Sequence, residues 1–189
     1  MSENITAPLA QFAATLRYED LPQPVVHQAC RFFLDAVGCA IGSAREDERK
    51  AGLAVKMVEG LGSTGLASVI GGGLANPAMA ALGNGFLVNA TDNDDTHKRA
   101  LAHIGSVVMP AALAMVETMK GNGRDLITAL VAGYEVTARV GMAVMPTHYR
   151  FWHSTATNGT FGAAAAAGRA MGLDGDQMRT AFGFAGTQA

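Results

Sequence analysis

Hydrophobic residues recur with helical spacing along nearly the whole chain. Apolar side chains three and four residues apart predict a first helix that begins at Thr6 and Pro8, and a second from Pro22 to about Ser43. Asp35 interrupts the apolar stripe of the second helix. Because a carboxylate is costly to bury without a partner, we expect either a partner for Asp35 or a solvent-exposed face there.

Turn-forming residues divide the rest of the chain into further helices. A polar turn over 45–50 leads to a third helix ending at Gly60 or Gly62, and a β-like run over 66–70 is closed by the glycines at 71–73. Those glycines lack the spacing and the lysine of a phosphate-binding loop, so they predict a turn. Later helices are expected over Pro77 to about Ala90, about Val107 to Lys120, Asp125 to about Met145, Ser154 to Gly172, and after Asp174. The pattern predicts an all-α, bundle-like domain over residues 1–189, with at most one short β segment near 66–70.

The most polar segment lies between two hydrophobic helices. It contains Asp92, Asp94, Asp95 and His97, and His103 follows. A calcium loop fits the alternate acidic positions, but the expected glycine and the acidic twelfth position are missing. A metal site with two histidines and a carboxylate, a metal-free acid/base site around a histidine, and a solvated helix-capping loop stay open on these residues alone.

A second polar cluster occupies residues 148–155. The only tryptophan, Trp152, precedes His153, and Ser154 and Thr155 then open a glycine- and alanine-rich helix. Since helix N-termini attract anions, His153 and these hydroxyls are a candidate binding site for a carboxylate. The alternative is an ordinary aromatic loop with a Ser/Thr cap.

Composition narrows the class of protein. The 14 basic and 16 acidic residues give a net charge of −2 without basic blocks, which argues against nucleic-acid binding. Cys30 and Cys39 fit neither a disulfide framework nor a zinc pattern. No uninterrupted apolar run reaches the ~18 residues that span a bilayer, and Met1–Pro8 lacks a secretory pattern, so we expect a cytoplasmic protein without membrane contact. The charged share of 16%, against about 25% in an average domain, suggests oligomerisation or a missing partner segment.

Several motifs, taken together and in order, resemble the MmgE/PrpD family. Members of this family include 2-methylcitrate dehydratase, cis-aconitate decarboxylase and iminodisuccinate epimerase. The segments that carry the likeness are Leu34–Cys39, Asp92–His97, His103–Gly105, Pro110–Ala114, Gly133–Val136 with Arg139, Phe151–Thr155 leading into Gly159 and Gly162, Gly172–Leu173 and Ala181–Ala189.

The resemblance implies a site that uses no metal and no cofactor and acts on a small polycarboxylate. Asp92 and Thr96 then match substrate-binding positions, and His103 and His153 match catalytic ones. His103 is expected to be the acid/base, and His153 a carboxylate binder or second acid/base. The implied reaction removes a proton next to a carboxylate, followed by dehydration, decarboxylation or epimerisation. A homodimer, or association with a missing C-terminal half, is the expected assembly.

The resemblance has two departures and one consequence. The family usually has proline after each histidine, where this chain has Ile104 and Ser154, which puts the loop geometry in question. The family has further site residues, among them lysines, and an α+β lid domain. The resemblance places all of these beyond the position that corresponds to Ala189. We therefore expect an incomplete helical domain that is inactive or weak alone. The alternative is a non-catalytic dimerisation or scaffold module derived from such an enzyme.

Overall fold

The fold is built from α-helices and one very small hairpin. The computed structural model describes residues 5–46, 48–61 and 64–189. Its strands, β1 (Ala67–Ser68) and β2 (Leu74–Ala75), pair antiparallel. Its α-helices are α1 (Thr6–Thr15), α2 (Gln23–Glu46), α3 (Glu48–Gly60), α4 (Pro77–Asn89), α5 (Gly105–Thr118), α6 (Gly123–Val144), α7 (Ser154–Ala170) and α8 (Gly175–Gly186). The predicted all-α class is confirmed.

Capping residues set several of the helix starts. The side chain of Asn76 accepts the Met79 N–H at the start of α4, as its position before Pro77 predicts. Asp174 begins α8 with a reciprocal capping box. Helix α2 runs three residues beyond the predicted Ser43, and α3 ends at Gly60. The alternative end at Gly62 lies outside the described residues.

The core forms where small residues let helices approach closely. Helices α6 and α7 lie side by side, and a Cβ atom on Gly133 of α6 would lie 2.9 Å from the carbonyl oxygen of Gly162 on α7. Helix α5 packs against α4, α6 and α7, while α1 packs against α7 and α8. The glycine- and alanine-rich helix α7 is therefore pressed closely against its neighbours.

The glycine-rich segment is a hairpin turn, as predicted. Gly71 and Gly73 have φ angles of +92° and +79°, which favour glycine. The β-like run shortens to β1, and the partner strand Leu74–Ala75 was not predicted, because two residues are too few for an alternating pattern. Glu117 of α5 anchors β1 by accepting the Ser68 backbone N–H at 2.6 Å and its hydroxyl at 2.8 Å.

Among the described residues one helix, α6, is long and apolar enough to cross a membrane by length and composition, with a mean hydropathy of 1.3 in its best window. Charged residues interrupt the apolar run of α6, so a search for uninterrupted apolar runs does not find it. Half of that window is buried against other parts of the protein. A core helix can pass the same test, so this one helix is weak evidence for a membrane span.

Candidate active site

The polar loop between α4 and α5 is held from three sides. Asp35 of α2 accepts the backbone N–H of Asp95 at 3.2 Å, so the expected partner of Asp35 exists, although its side chain is also exposed. The Asp95 carboxylate in turn accepts the Gly105 N–H at 2.8 Å and the Tyr134 hydroxyl at 3.0 Å. These bonds tie the loop to the N-terminus of α5 and to the middle of α6.

Burial dominates the electrostatics of this anchor. It raises the pKa of Asp95 from its ordinary 3.8 to about 6, against the lowering effect of the hydrogen bonds from Tyr134 and Gly105. Burial and the neighbouring Asp95 carboxylate also raise the pKa of Tyr134. The Tyr134 ring stacks on Phe32 with 4.8 Å between centroids. Asp95 is therefore a structural carboxylate whose charged form is disfavoured.

His103 lies at the end of this loop with its two ring nitrogens in different surroundings. Nδ1 is 3.2 Å from the Asp94 carboxylate, 3.3 Å from the Asp94 backbone carbonyl and 3.5 Å from the Thr96 hydroxyl. Nε2 is 3.6 Å from the Asp92 carboxylate. The His103 side chain is 22% exposed. The structure thus brings together three of the predicted site residues, namely Asp92, Thr96 and His103.

The two carboxylates beside His103 differ sharply in burial. The Asp92 side chain is 83% exposed and its backbone has a φ of +56°, whereas the Asp94 side chain is fully buried. Asn89, in the last turn of α4, donates to Asp94 Oδ1 at 3.0 Å. The second Asp94 oxygen is buried and has no hydrogen-bond partner among the residues that the structure describes.

Two hydrogen bonds join the loop to the N-terminus of α7. The His103 backbone N–H donates to the Thr155 hydroxyl at 3.0 Å, and the Ser154 hydroxyl donates to the Leu101 carbonyl. Ser154 stands where the family usually has proline, and a proline ring has no group that makes this bond. At the other departure Ile104 is buried, and its carbonyl accepts the Val108 N–H. Both departures are therefore accommodated by local packing and hydrogen bonds.

His153 lies beside this cluster and makes no hydrogen bond to His103. It is exposed, precedes the first residue of α7, and lines a cavity of about 520 Å³ together with Thr155, Ser106 and Asn89. His103 does not line this cavity. The two predicted catalytic histidines thus occupy adjoining parts of the site, linked through the Thr155 hydroxyl.

The same loop contains a cluster of side chains that could bind a metal ion. Asp92, Asp94 and His103 each offer a ligand atom, and these atoms lie within 4.8 Å of one another. His97 does not join them: its Nδ1 accepts the Ala100 N–H at 3.1 Å and its backbone N–H donates to Ala102. Among the described residues His97 offers no ligand atom to this cluster, so the structure gives no support to the interpretation that pairs His97 with His103 on a metal.

Sequence reasoning did not assign these contacts to several residues that build the site, although all of them except Asn89 lie in motif segments that it had named. Asn89, Asp94, Asp95, Tyr134 and Thr155 all make the contacts described above. The run of three carboxylates was visible, but spacing in a loop does not reveal which one is buried. The only local signal for Tyr134 was its polar hydroxyl inside an otherwise apolar helical stripe.

Comparisons with known proteins agree with this arrangement. The sequence profile of the MmgE/PrpD N-terminal domain matches residues 7–189. The chain is 34% identical to a cis-aconitate decarboxylase-like protein, oryM, of Aspergillus oryzae, over 98% of this chain and 40% of that protein. It is 33% identical to a cis-aconitate decarboxylase of Aspergillus terreus, over 98% and 39%, and 29% identical to the human one, over 100% and 40%. The chain spans about two-fifths of the length of these relatives.

Proposed function

Because the chain belongs to the MmgE/PrpD family, we propose that it forms the N-terminal part of a metal-free lyase that decarboxylates a cis-aconitate-like polycarboxylate. The observation that carries this proposal is the His103 imidazole, set between Asp92 and Asp94 and tied by Thr155 to the cavity of His153. Dehydration or epimerisation of a related polycarboxylate would use the same groups. The names of the similar proteins favour decarboxylation.

His103 is the proposed acid/base. In a decarboxylation the bond between carbon and the departing carboxylate breaks, CO2 leaves, and the electron pair left on carbon takes up a proton. A histidine can remove a proton from substrate carbon or return one near neutral pH. Asp92, near Nε2, would orient or polarise the site at the His103 ring. Thr96 would position the ring through its hydrogen bond to Nδ1.

The N-terminus of α7 is the proposed binding site for a substrate carboxylate. The cavity of about 520 Å³ is lined by His153, Thr155 and Ala156 at this helix end, and by Ser106 of α5. A helix N-terminus carries a partial positive charge that favours an anion. In this position His153 would bind the carboxylate or serve as a second acid/base.

Charge balance limits what these residues can do alone. The side chains around His103 Nδ1 and Nε2 are carboxylates and a hydroxyl, and a substrate with several carboxylates adds further negative charge. Stabilising the charge that develops in the transition state requires cationic groups. We therefore expect little or no turnover from the 189-residue chain, and we propose that the part corresponding to the remainder of the relatives supplies those cations.

A substrate screen tests the proposal. The complete enzyme, meaning this chain together with a counterpart of the remaining part of its relatives, is incubated with cis-aconitate, 2-methylcitrate or iminodisuccinate, and substrate loss is followed by proton NMR. We expect release of CO2 from the cis-aconitate-like compound, with the 189-residue chain as the inactive control. Turnover of none of the three by a folded complete enzyme would contradict the proposal and favour a non-catalytic scaffold.

A further inference from the structure

The fully buried carboxylate of Asp94 is unusual for a loop residue. Its two nearest polar neighbours are the Asn89 amide, at 3.0 Å from Oδ1, and His103 Nδ1, at 3.2 Å from the same oxygen. Within the described part of the chain the other oxygen has no hydrogen-bond partner. Burying a charge with so few hydrogen bonds costs stability, so this residue is poorly explained as a loop-capping group.

The neighbouring carboxylate provides a direct contrast. Asp95 accepts a backbone N–H from Gly105 and a hydroxyl from Tyr134, which anchors the loop to two helices. Of the two adjacent carboxylates, Asp95 serves the fold, and Asp94 faces the imidazole. The two carboxylates thus have different roles: Asp95 is structural, and Asp94 acts on His103.

The surroundings of Nδ1 fix which ring nitrogen of neutral His103 carries hydrogen. The backbone carbonyl of Asp94, 3.3 Å away, can only accept a hydrogen bond, and so can its ionised carboxylate. Both oxygens therefore require a hydrogen on Nδ1. Asp92 Oδ1 also only accepts, but it lies 3.6 Å from Nε2, beyond hydrogen-bond distance, and its side chain is 83% exposed, so Nε2 is the nitrogen with the free lone pair.

We infer that Asp94 is a positioning residue that holds His103 in the Nδ1–H tautomer, so that Nε2 is the atom that exchanges protons with the substrate. The inference rests on the proposed function for its catalytic consequence, while the tautomer itself is a property of the folded chain. Asn89 fixes Asp94 in place and also lines the cavity of about 520 Å³. Asn89, Asp94 and His103 thus form a chain of contacts from that cavity to the imidazole.

Nitrogen-15 NMR of the His103 imidazole in the 189-residue protein tests the tautomer directly, under alkaline conditions in which the ring is neutral. We expect a protonated Nδ1 in the parent protein. In Asp94→Asn the amide can donate as well as accept, so the ratio of Nδ1–H to Nε2–H should fall about tenfold. The matched control Asp95→Asn, which alters the adjacent buried carboxylate, should leave the ratio unchanged.

A second variant covers the case in which Asp94→Asn fails to fold. Asn89→Ala removes the amide that holds Asp94 and should shift the tautomer ratio in the same direction by a smaller factor. A parent protein with hydrogen on Nε2, or an Asp94→Asn protein with the parent ratio, would overturn the inference. So would an equal shift in Asp95→Asn.

In the complete enzyme, Asp94→Asn should lower kcat about 100-fold or more with KM little changed, since the proton-transfer step loses its correctly oriented base. Equal kcat values for the parent and Asp94→Asn enzymes would contradict the catalytic consequence. Absence of turnover in the parent enzyme would instead refute the proposed function, and the NMR result would still decide whether Asp94 sets the tautomer.

Discussion

Replacing Asp95 by asparagine should make the protein more stable at neutral pH. Asparagine keeps an oxygen that can accept the Gly105 N–H and the Tyr134 hydroxyl, which Asp95 Oδ1 accepts at 2.8 and 3.0 Å. It removes a charge that burial disfavours. The gain is expected to depend on pH, because the native protein holds a proton on Asp95 in a range where the unfolded chain has lost it.

The sign and size follow from the raised pKa of Asp95. The pKa is about 6 in the folded protein and 3.8 ordinarily. Between these values the native state binds more protons than the unfolded state, so stability falls as the pH rises through this window. Two pH units at 1.36 kcal/mol each give about 3 kcal/mol, which partial solvent screening reduces to about 2–3 kcal/mol. Asp95→Asn should escape this loss.

Urea unfolding at pH values from about 4 to 7, followed by circular dichroism, measures the effect. The free energy of unfolding of Asp95→Asn minus that of the parent protein should grow by about 2–3 kcal/mol as the pH rises. Asp176→Asn, which removes an exposed carboxylate in the first turn of α8, controls for the loss of one negative charge. A difference that is flat with pH, or that shrinks as pH rises, would refute the reasoning.

Three further predictions concern the same loop. Gly105→Ala should destabilise the protein by about 1–3 kcal/mol in thermal unfolding, because the added methyl group would collide with the Asp95 carboxylate. The control Gly183→Ala in α8 should not destabilise the protein, because its added methyl group has no atom within 4 Å. Ser154→Ala should cost about 1–2 kcal/mol and speed hydrogen exchange in the loop, because the Leu101 carbonyl loses the hydrogen bond that the buried Ser154 hydroxyl donates. Unchanged exchange would contradict this. Turnover by the complete enzyme should survive EDTA, and a loss restored by a divalent cation would assign a metal to the carboxylate–histidine group.

Much of the fold follows from local signals in the sequence. The helices of this domain pack apolar residues against one another, so apolar spacing locates them, and residues such as Asn76 and Asp174 mark their starts through the caps they form. The β2 strand was missed because two residues carry no periodic signal. Local patterns also could not foresee that α2 continues to Glu46.

The sequence predicted which polar segment forms the site, but only part of how its side chains are arranged. The segment from Asp92 to His103 stood out as a polar run between apolar helices, and its resemblance to one family, now shown by the profile match over residues 7–189, pointed to chemistry. The division between Asp94 and Asp95 depends on contacts with Tyr134 and Asn89, which lie elsewhere in the chain. Long-range contacts of this kind leave no trace in local spacing.

The assignment of His103 as the acid/base is tested most directly by comparing two histidine variants of the complete enzyme on cis-aconitate. His103→Ala should lower kcat by at least about 100-fold, because general acid/base catalysis contributes on that order. His97→Ala is the matched control from the same loop, since among the described residues the His97 ring bonds only to the backbone N–H of Ala100. At a temperature where this variant is folded, it should keep kcat within a few-fold of the parent. Unchanged turnover in His103→Ala, or an equal loss in both variants, would contradict the account.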